Sequence, residues 1–250
     1  MDDSASKLPL PTCVACGAPV EATHRYCATC GEQLRRPPLT LRGVFTQAFH
    51  TFSKLDHGFL YNLKVLTVAP KRLVAEYLSG QRRRIYNPLA YALVMTTLYL
   101  FADSVFYDPG PRNSDGPPPV PVFELAYETG RFLRIYFKYV WLSGVVWLGL
   151  AARLMFGQYR LAEHLAISGF LIGHATLVAV LTLIPFGYAI IFNPFLYAAI
   201  MVMLFATYGT KAHLFQTVVQ VLSVMLLFLG QLVVVAFAGA LALMLIRNFF

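Results

Sequence analysis

The distribution of charge along the chain limits its fold more than any other feature. Twelve of the twenty Lys and Arg residues fall in the first 84 positions, and after Glu128 the only acidic residue is Glu163. Long apolar runs begin where the charge thins out. Several approach or exceed the ~20 residues that cross a bilayer core about 30 Å thick. With 58% hydrophobic and 13% charged residues, the chain lies outside the usual soluble range. It reads as an all-α membrane protein of about five transmembrane helices. The basic excess fits anionic lipid headgroups, where a juxtamembrane Lys or Arg gains about 1 kcal/mol. Nucleic acid is not expected as a partner.

The change of solvent falls at Gly80-Gln81-Arg82-Arg83-Arg84-Ile85-Tyr86-Asn87-Pro88. Gly80 is placed to end a helix, three arginines sit at the junction, and Asn87-Pro88 supplies an N-cap followed by a proline at the first helical position. The expected divisions are a tail over 1–10, a metal-binding ribbon over 11–34, a linker with basic amphipathic helices over 35–86, and a membrane bundle over 87–250. Within the bundle, spans are expected at 88–106, 135–156, 161–184, 188–208 and 218–246. The last is longer than a bilayer core and must tilt or protrude. Pro185-Phe186-Gly187 is expected as a tight turn, and Asn193-Pro194 as a break inside the fourth span that frees carbonyls near Ala189 and Ile190.

Two C-x-x-C-G units, Cys13-Val14-Ala15-Cys16-Gly17 and Cys27-Ala28-Thr29-Cys30-Gly31, contain all four cysteines. Each pair aims two thiolates from a tight turn at one point, and the glycine permits the backbone conformation this needs. Together they fit a closed structural Zn²⁺ site with Cys13, Cys16, Cys27 and Cys30 as ligands. A disulfide pair or a redox C-x-x-C is the alternative, although no thioredoxin-like pattern surrounds either motif. A closed four-thiolate site has no open coordination position, which points to docking or stiffening rather than catalysis.

Between ribbon and bundle, apolar residues recur at helical spacing over Leu41–Phe52, Leu55–Leu66 and Leu73–Leu78, with basic residues on the other faces. These read as interfacial helices on the bilayer; a soluble hairpin packed on itself fits the same pattern. Lys71, Arg72, Arg82, Arg83 and Arg84 are the expected headgroup contacts. Met1 to Pro11 carries no apolar h-region, so the N-terminus is expected in the cytoplasm. The basic residues also weigh toward N-terminus in and C-terminus out. Arg131, Arg134 and Lys138 count against that orientation, and four- or six-span arrangements stay open.

In the third span Ala162, Ala166, Gly169 and Gly173 repeat every four residues, a groove that lets another helix approach closely. Glu163 and His174 share one face of that helix and His164 lies on another. With Asn193 they form a candidate intramembrane polar site, because ionisable groups in a bilayer are costly and often functional. A histidine that simply bonds a carbonyl or hydroxyl on a neighbouring span is the competing account of His174. No H-E-x-x-H, G-x-S-x-G or paired-carboxylate arrangement is present, so enzymatic activity is not expected.

The double C-x-x-C-G ribbon, Leu39-Thr40-Leu41-Arg42-Gly43-Val44, Leu55-Asp56-His57-Gly58-Phe59-Leu60, Pro70-Lys71-Arg72, Tyr77-Leu78-Ser79-Gly80-Gln81-Arg82 and Tyr86-Asn87-Pro88 together resemble a bacterial family of zinc-ribbon membrane proteins classed as a domain of unknown function. The pattern Glu163-His164…His174 looks like that family's second signature. The resemblance implies the architecture above, with no activity or substrate attached; a bacterial cytoplasmic membrane is the expected location. The expectation is a non-enzymatic protein whose cytoplasmic zinc ribbon docks a protein partner. The alternative is a small transporter or lipid-handling protein built around His174, Glu163 and Asn193.

Overall fold

The computed structural model describes residues 12, 13, 16–21, 23–31, 34, 40, 57–106, 129, 130, 132, 133, 135–209 and 213–249. The expected helix over Leu41–Phe52, the N-terminal tail and the Pro- and Gly-rich loop after the first span lie outside these residues, as do Arg131 and Arg134. Among the described residues all regular elements are helical, apart from one isolated bridge between Thr12 and Pro19. Two short helices come first, α1 (His57–Val68) and α2 (Pro70–Leu78), then α3 (Pro88–Phe106). Next is a segmented helix, α4 (Phe137–Val140), passing through a 3₁₀ turn at Trp141–Ser143 into α5 (Gly144–Met155). It is followed by α6 (Leu161–Phe186), a 3₁₀ turn at Ile190–Phe192, α7 (Pro194–Tyr208) and α8 (Leu214–Phe249).

Among the described residues, three helices are long and apolar enough to cross a membrane: α3, α6 and Leu214–Ala242 of α8. This is a multi-pass membrane protein. Helix α7 is apolar but has only 15 residues, about 22 Å of rise. Its start corrects the expected fourth span. Asn193 is not inside a kinked helix. It is the N-cap, its Oδ1 accepting from the amides of Phe195 (3.0 Å) and Leu196 (3.2 Å), with Pro194 as the first helical residue. The carbonyls expected to be freed are taken up locally: Ala189 O accepts from Phe192 N and Ile190 O from Asn193 N. The break at Pro185 is also displaced. Helix α6 runs through that proline to Phe186 and stops at Gly187, whose φ of 63° closes the last turn. The fifth helix starts earlier and ends later than its hydropathy run, at 36 residues and about 54 Å.

Helix α6 is the centre of the bundle, packed against α3, α5, α7 and α1. Its four-residue glycine spacing explains why. A Cβ at Gly169 would lie 3.0 Å from the Pro88 carbonyl, and one at Gly173 would lie 2.7 Å from Tyr91 and 3.0 Å from Ala92 Cα. Pro88 and Ala92 are four apart, as are the two glycines, so α3 and α6 run parallel with backbones nearly touching. Replacing Gly173 by Val should therefore cost about 2–3 kcal/mol through overpacking, read as a lower SDS midpoint in mixed-micelle unfolding. An unchanged midpoint would mean that α3 is not seated in this groove. Trp141 is fully buried and donates to Thr176 on α6 at 2.9 Å, which ties the second helical segment to the same centre.

The first two helices are not a separate surface layer. Leu66, Leu73, Val74 and Tyr77 are buried in the same core as Tyr91 and Phe170, and the Tyr77 ring meets Phe170 edge-on at 5.3 Å. Asn62, fully buried, clamps the arginine turn from both sides. It donates to the Tyr86 carbonyl at 2.9 Å and accepts from the Tyr86 amide at 3.2 Å.

Candidate metal centre and intramembrane polar contacts

Each C-x-x-C-G unit closes on itself. The Gly17 amide donates to Cys13 O at 2.8 Å and the Gly31 amide to Cys27 O at 2.7 Å. Both glycines adopt left-handed φ, 72° and 69°, where a side chain would be strained. The four sulfurs lie within 4.8 Å of one another, with Cys13–Cys30 at 3.6 Å and Cys16–Cys27 at 3.7 Å. A tetrahedral ion with metal–sulfur bonds of about 2.3 Å has sulfur–sulfur edges of about 3.8 Å, whereas a disulfide needs about 2.05 Å. The donor set therefore fits a metal ion and not a pair of disulfides. The Cys30 amide lowers the Cys27 thiol to about 6. Burial, then the neighbouring sulfurs, raise the Cys30 thiol to about 12. Four thiolates so close together need a cation to be deprotonated at once. Beside the centre, the Arg83 guanidinium lies against Gly31.

The expected headgroup residues separate into two groups. Lys71 Nζ donates to the Gly209 carbonyl at 3.0 Å, at the C-terminal end of α7, where a cation complements the helix dipole. Arg72 Nε bonds Glu76 at 2.8 Å. Arg82 Nε bonds the Tyr77 carbonyl at 3.2 Å, with its guanidinium 5.0 Å above the Tyr77 ring. All three make contacts within the protein. Arg83 and Arg84 are exposed. The Glu76 carboxylate also accepts from the Tyr61 hydroxyl at 2.6 Å.

The four candidate polar residues do not form one site. Glu163 lies at the start of α6 and accepts from the Arg160 amide at 2.8 Å, an N-terminal cap. His164 is fully buried and its Nδ1 is hydrogen-bonded to the Tyr208 hydroxyl at 2.9 Å, in an aromatic cluster with Phe156 and Tyr159. Asn193, besides capping α7, donates to Thr182 at 2.8 Å. From the level of His164 to that of Thr182 is about 27 Å along α6. His174 stands between them, its Nδ1 3.1 Å from the Tyr91 hydroxyl and its Nε2 3.3 Å from Thr67 Oγ1. Thr67 already donates to the Leu63 carbonyl at 2.8 Å. Its oxygen must therefore accept from His174 Nε2–H, leaving Nδ1 to accept from Tyr91. In a neutral imidazole that pattern is the Nε2–H tautomer. The histidine joins α1, α3 and α6 through hydroxyls, as the structural account of it would have it.

One charged contact is absent from the sequence reading. Asp103 on α3 is 3% exposed; it accepts from the Lys138 ammonium and, at 3.3 Å, from the Tyr99 hydroxyl. A single acidic residue near the end of an apolar helix was the available signal. Its partner is 35 positions away along the chain.

A family model described as "Protein of unknown function (DUF3667)" matches residues 56–100. No curated protein and no solved structure matches the chain. The matched stretch takes in α1, α2, the arginine turn with its Asn62 clamp, and α3 as far as Leu100, so the chain is similar to that family over the segment where the basic hairpin joins the bundle.

Proposed function

We propose that this is a non-enzymatic protein of a bacterial cytoplasmic membrane, with its N-terminus inside, whose ribbon holds one structural Zn²⁺ and docks a cytoplasmic partner. The four-thiolate cluster supports this reading most directly: its sulfur spacing suits zinc, and four protein ligands leave no position for substrate. The orientation gains support from Asp103. Lys138, which counted against it, is neutralised by that carboxylate and no longer weighs as a free basic residue on the outer side. Affinity purification in mild detergent tests the proposal. The wild-type chain should carry about one zinc per chain and co-purify with a cytoplasmic protein. Replacing Cys13 and Cys27 by Ser should abolish both while membrane insertion persists. Recovery of the same partner with the metal-free variant would overturn it.

The transporter reading draws on His174, a buried ionisable group at mid-depth. The separate hydrogen-bonding of Glu163, His164, His174 and Asn193 weighs against it.

A further inference from the structure

We propose that the α1–α2 hairpin is a re-entrant wedge in the ribbon-side leaflet, with its corner at Thr67–Pro70 among the acyl chains and lipid covering its outer face. The argument begins with depth. Helix α6 has 26 residues, about 39 Å of rise, against a hydrocarbon core about 30 Å thick. His174 lies about 20 Å from the start of that helix and about 18 Å from its end. However the core is slid along α6, His174 stays roughly 10 Å or more from either boundary. Thr67 bonds directly to that imidazole, so the end of α1 lies at a similar depth. The next residue, Val68, is 79% exposed. At this depth an outward-facing valine meets lipid.

The corner is built for such a place. A segment in hydrocarbon must satisfy its own backbone groups. Ala69 is the single residue between the two helices, and its amide donates to Val65 O at 2.7 Å. Its carbonyl accepts from Arg72 N at 3.0 Å and more loosely from Leu73 N at 3.4 Å. Pro70 has no amide hydrogen to satisfy. The charges nearest the corner are neutralised or bonded: Lys71 by the Gly209 carbonyl, and Arg72 and Glu76 by each other. Lys64, one turn before Val68 on α1, is exposed and has a stem long enough to carry its ammonium back to the headgroups. Arg83 and Arg84, past the far end of α2, are exposed at the same end of the molecule. The apolar surface also continues beyond the hairpin. Leu60 is exposed on α1, and Leu214 and Phe215 are exposed where α8 begins, close to Gly209. A hairpin docked beneath the membrane has no reason to bury its polar Asn62 and turn Val68 and Leu60 outward.

The wedge is independent of what the ribbon binds and of which side the ribbon faces. It is tested on the full-length protein in vesicles of phosphatidylcholine with one quarter phosphatidylglycerol. An environment-sensitive fluorescent amino acid is placed in turn at positions 68, 60, 84 and 98. Leu98 is an exposed residue of α3 and reports the span itself. Lipids brominated midway along the acyl chain should quench positions 68 and 98 to a similar extent, removing roughly half the emission, while aqueous iodide leaves both nearly unchanged. Position 84 should show the reverse, and position 60 provides a second reporter on the same face if the first labels poorly. Strong iodide quenching at 68 and 60 would overturn the wedge in favour of a water-filled vestibule leading to His174. Escape of both positions from iodide and bromolipid alike would overturn it in favour of a protein cover.

Discussion

Stripping the metal from the ribbon, by chelation or by replacing Cys13 and Cys27 with Ser, is expected to unfold residues 12–34 completely while the helical bundle stays folded. The ribbon's own core consists of Cys13, Val20 and Cys27, with Ala18, Cys30 and Leu34 packed on it. So few side chains cannot offset the backbone entropy of ordering the segment. In small metal modules the binding free energy, about 10–16 kcal/mol for structural zinc at neutral pH, is the folding free energy. Limited proteolysis reads the outcome. The wild-type ribbon should resist cleavage and become cleaved within the same interval once chelated, with helices from Pro88 onward protected in both samples. Resistance that survives chelation would show that contacts with the arginine turn, such as Arg83 against Gly31, hold the ribbon without a metal.

The second large effect is expected at Asp103. Replacing it by Ala leaves the Lys138 ammonium facing a largely apolar environment and removes one acceptor of Tyr99. Breaking one side of a buried ion pair costs about 3–5 kcal/mol. Lys138 keeps 25% of its side-chain surface exposed, which places the loss near 3 kcal/mol, at the low end of that range. Thermal unfolding in detergent should show it as a lower midpoint. Combining Asp103→Leu with Lys138→Met should restore most of the loss, since replacing both charges by apolar groups is often neutral. A double variant as unstable as the single one would mean that Tyr99, and not the ion pair, is the group that depends on Asp103.

The contrast between these two sites shows what could be read along the chain. The ribbon is local: two four-residue turns, each ended by a glycine in the left-handed conformation, bring the sulfurs together with little help from elsewhere. The glycine groove of α6 was equally legible, because helix geometry alone places residues 169 and 173 on one stripe. Asp103 and Lys138 give no such signal. Their pairing depends on how α3 and α4 meet after a long connection.

Hydropathy alone misplaced the ends of several helices, and in each case a local polar device prevailed. Asn193 captures two amides and starts α7 six residues late; Gly187 carries α6 past Pro185. The five expected headgroup residues had the same composition, but a basic side chain does not reveal which carbonyl or ring is within reach. Only in three dimensions do Lys71, Arg72 and Arg82 find Gly209, Glu76 and Tyr77.

By itself the sequence determined the all-helical membrane class, the four-cysteine ribbon and the junction at Gly80–Pro88. Each rests on solvent preference or on geometry within a few residues, which a linear chain carries explicitly. Tertiary structure decided the rest: that the basic hairpin packs into the bundle, that His174 is held by Thr67 from 107 positions away, and that the polar residues of α6 serve separate neighbours. Those contacts depend on which faces meet when helices pack, and a side chain's partner is set by that meeting rather than by its place in the chain.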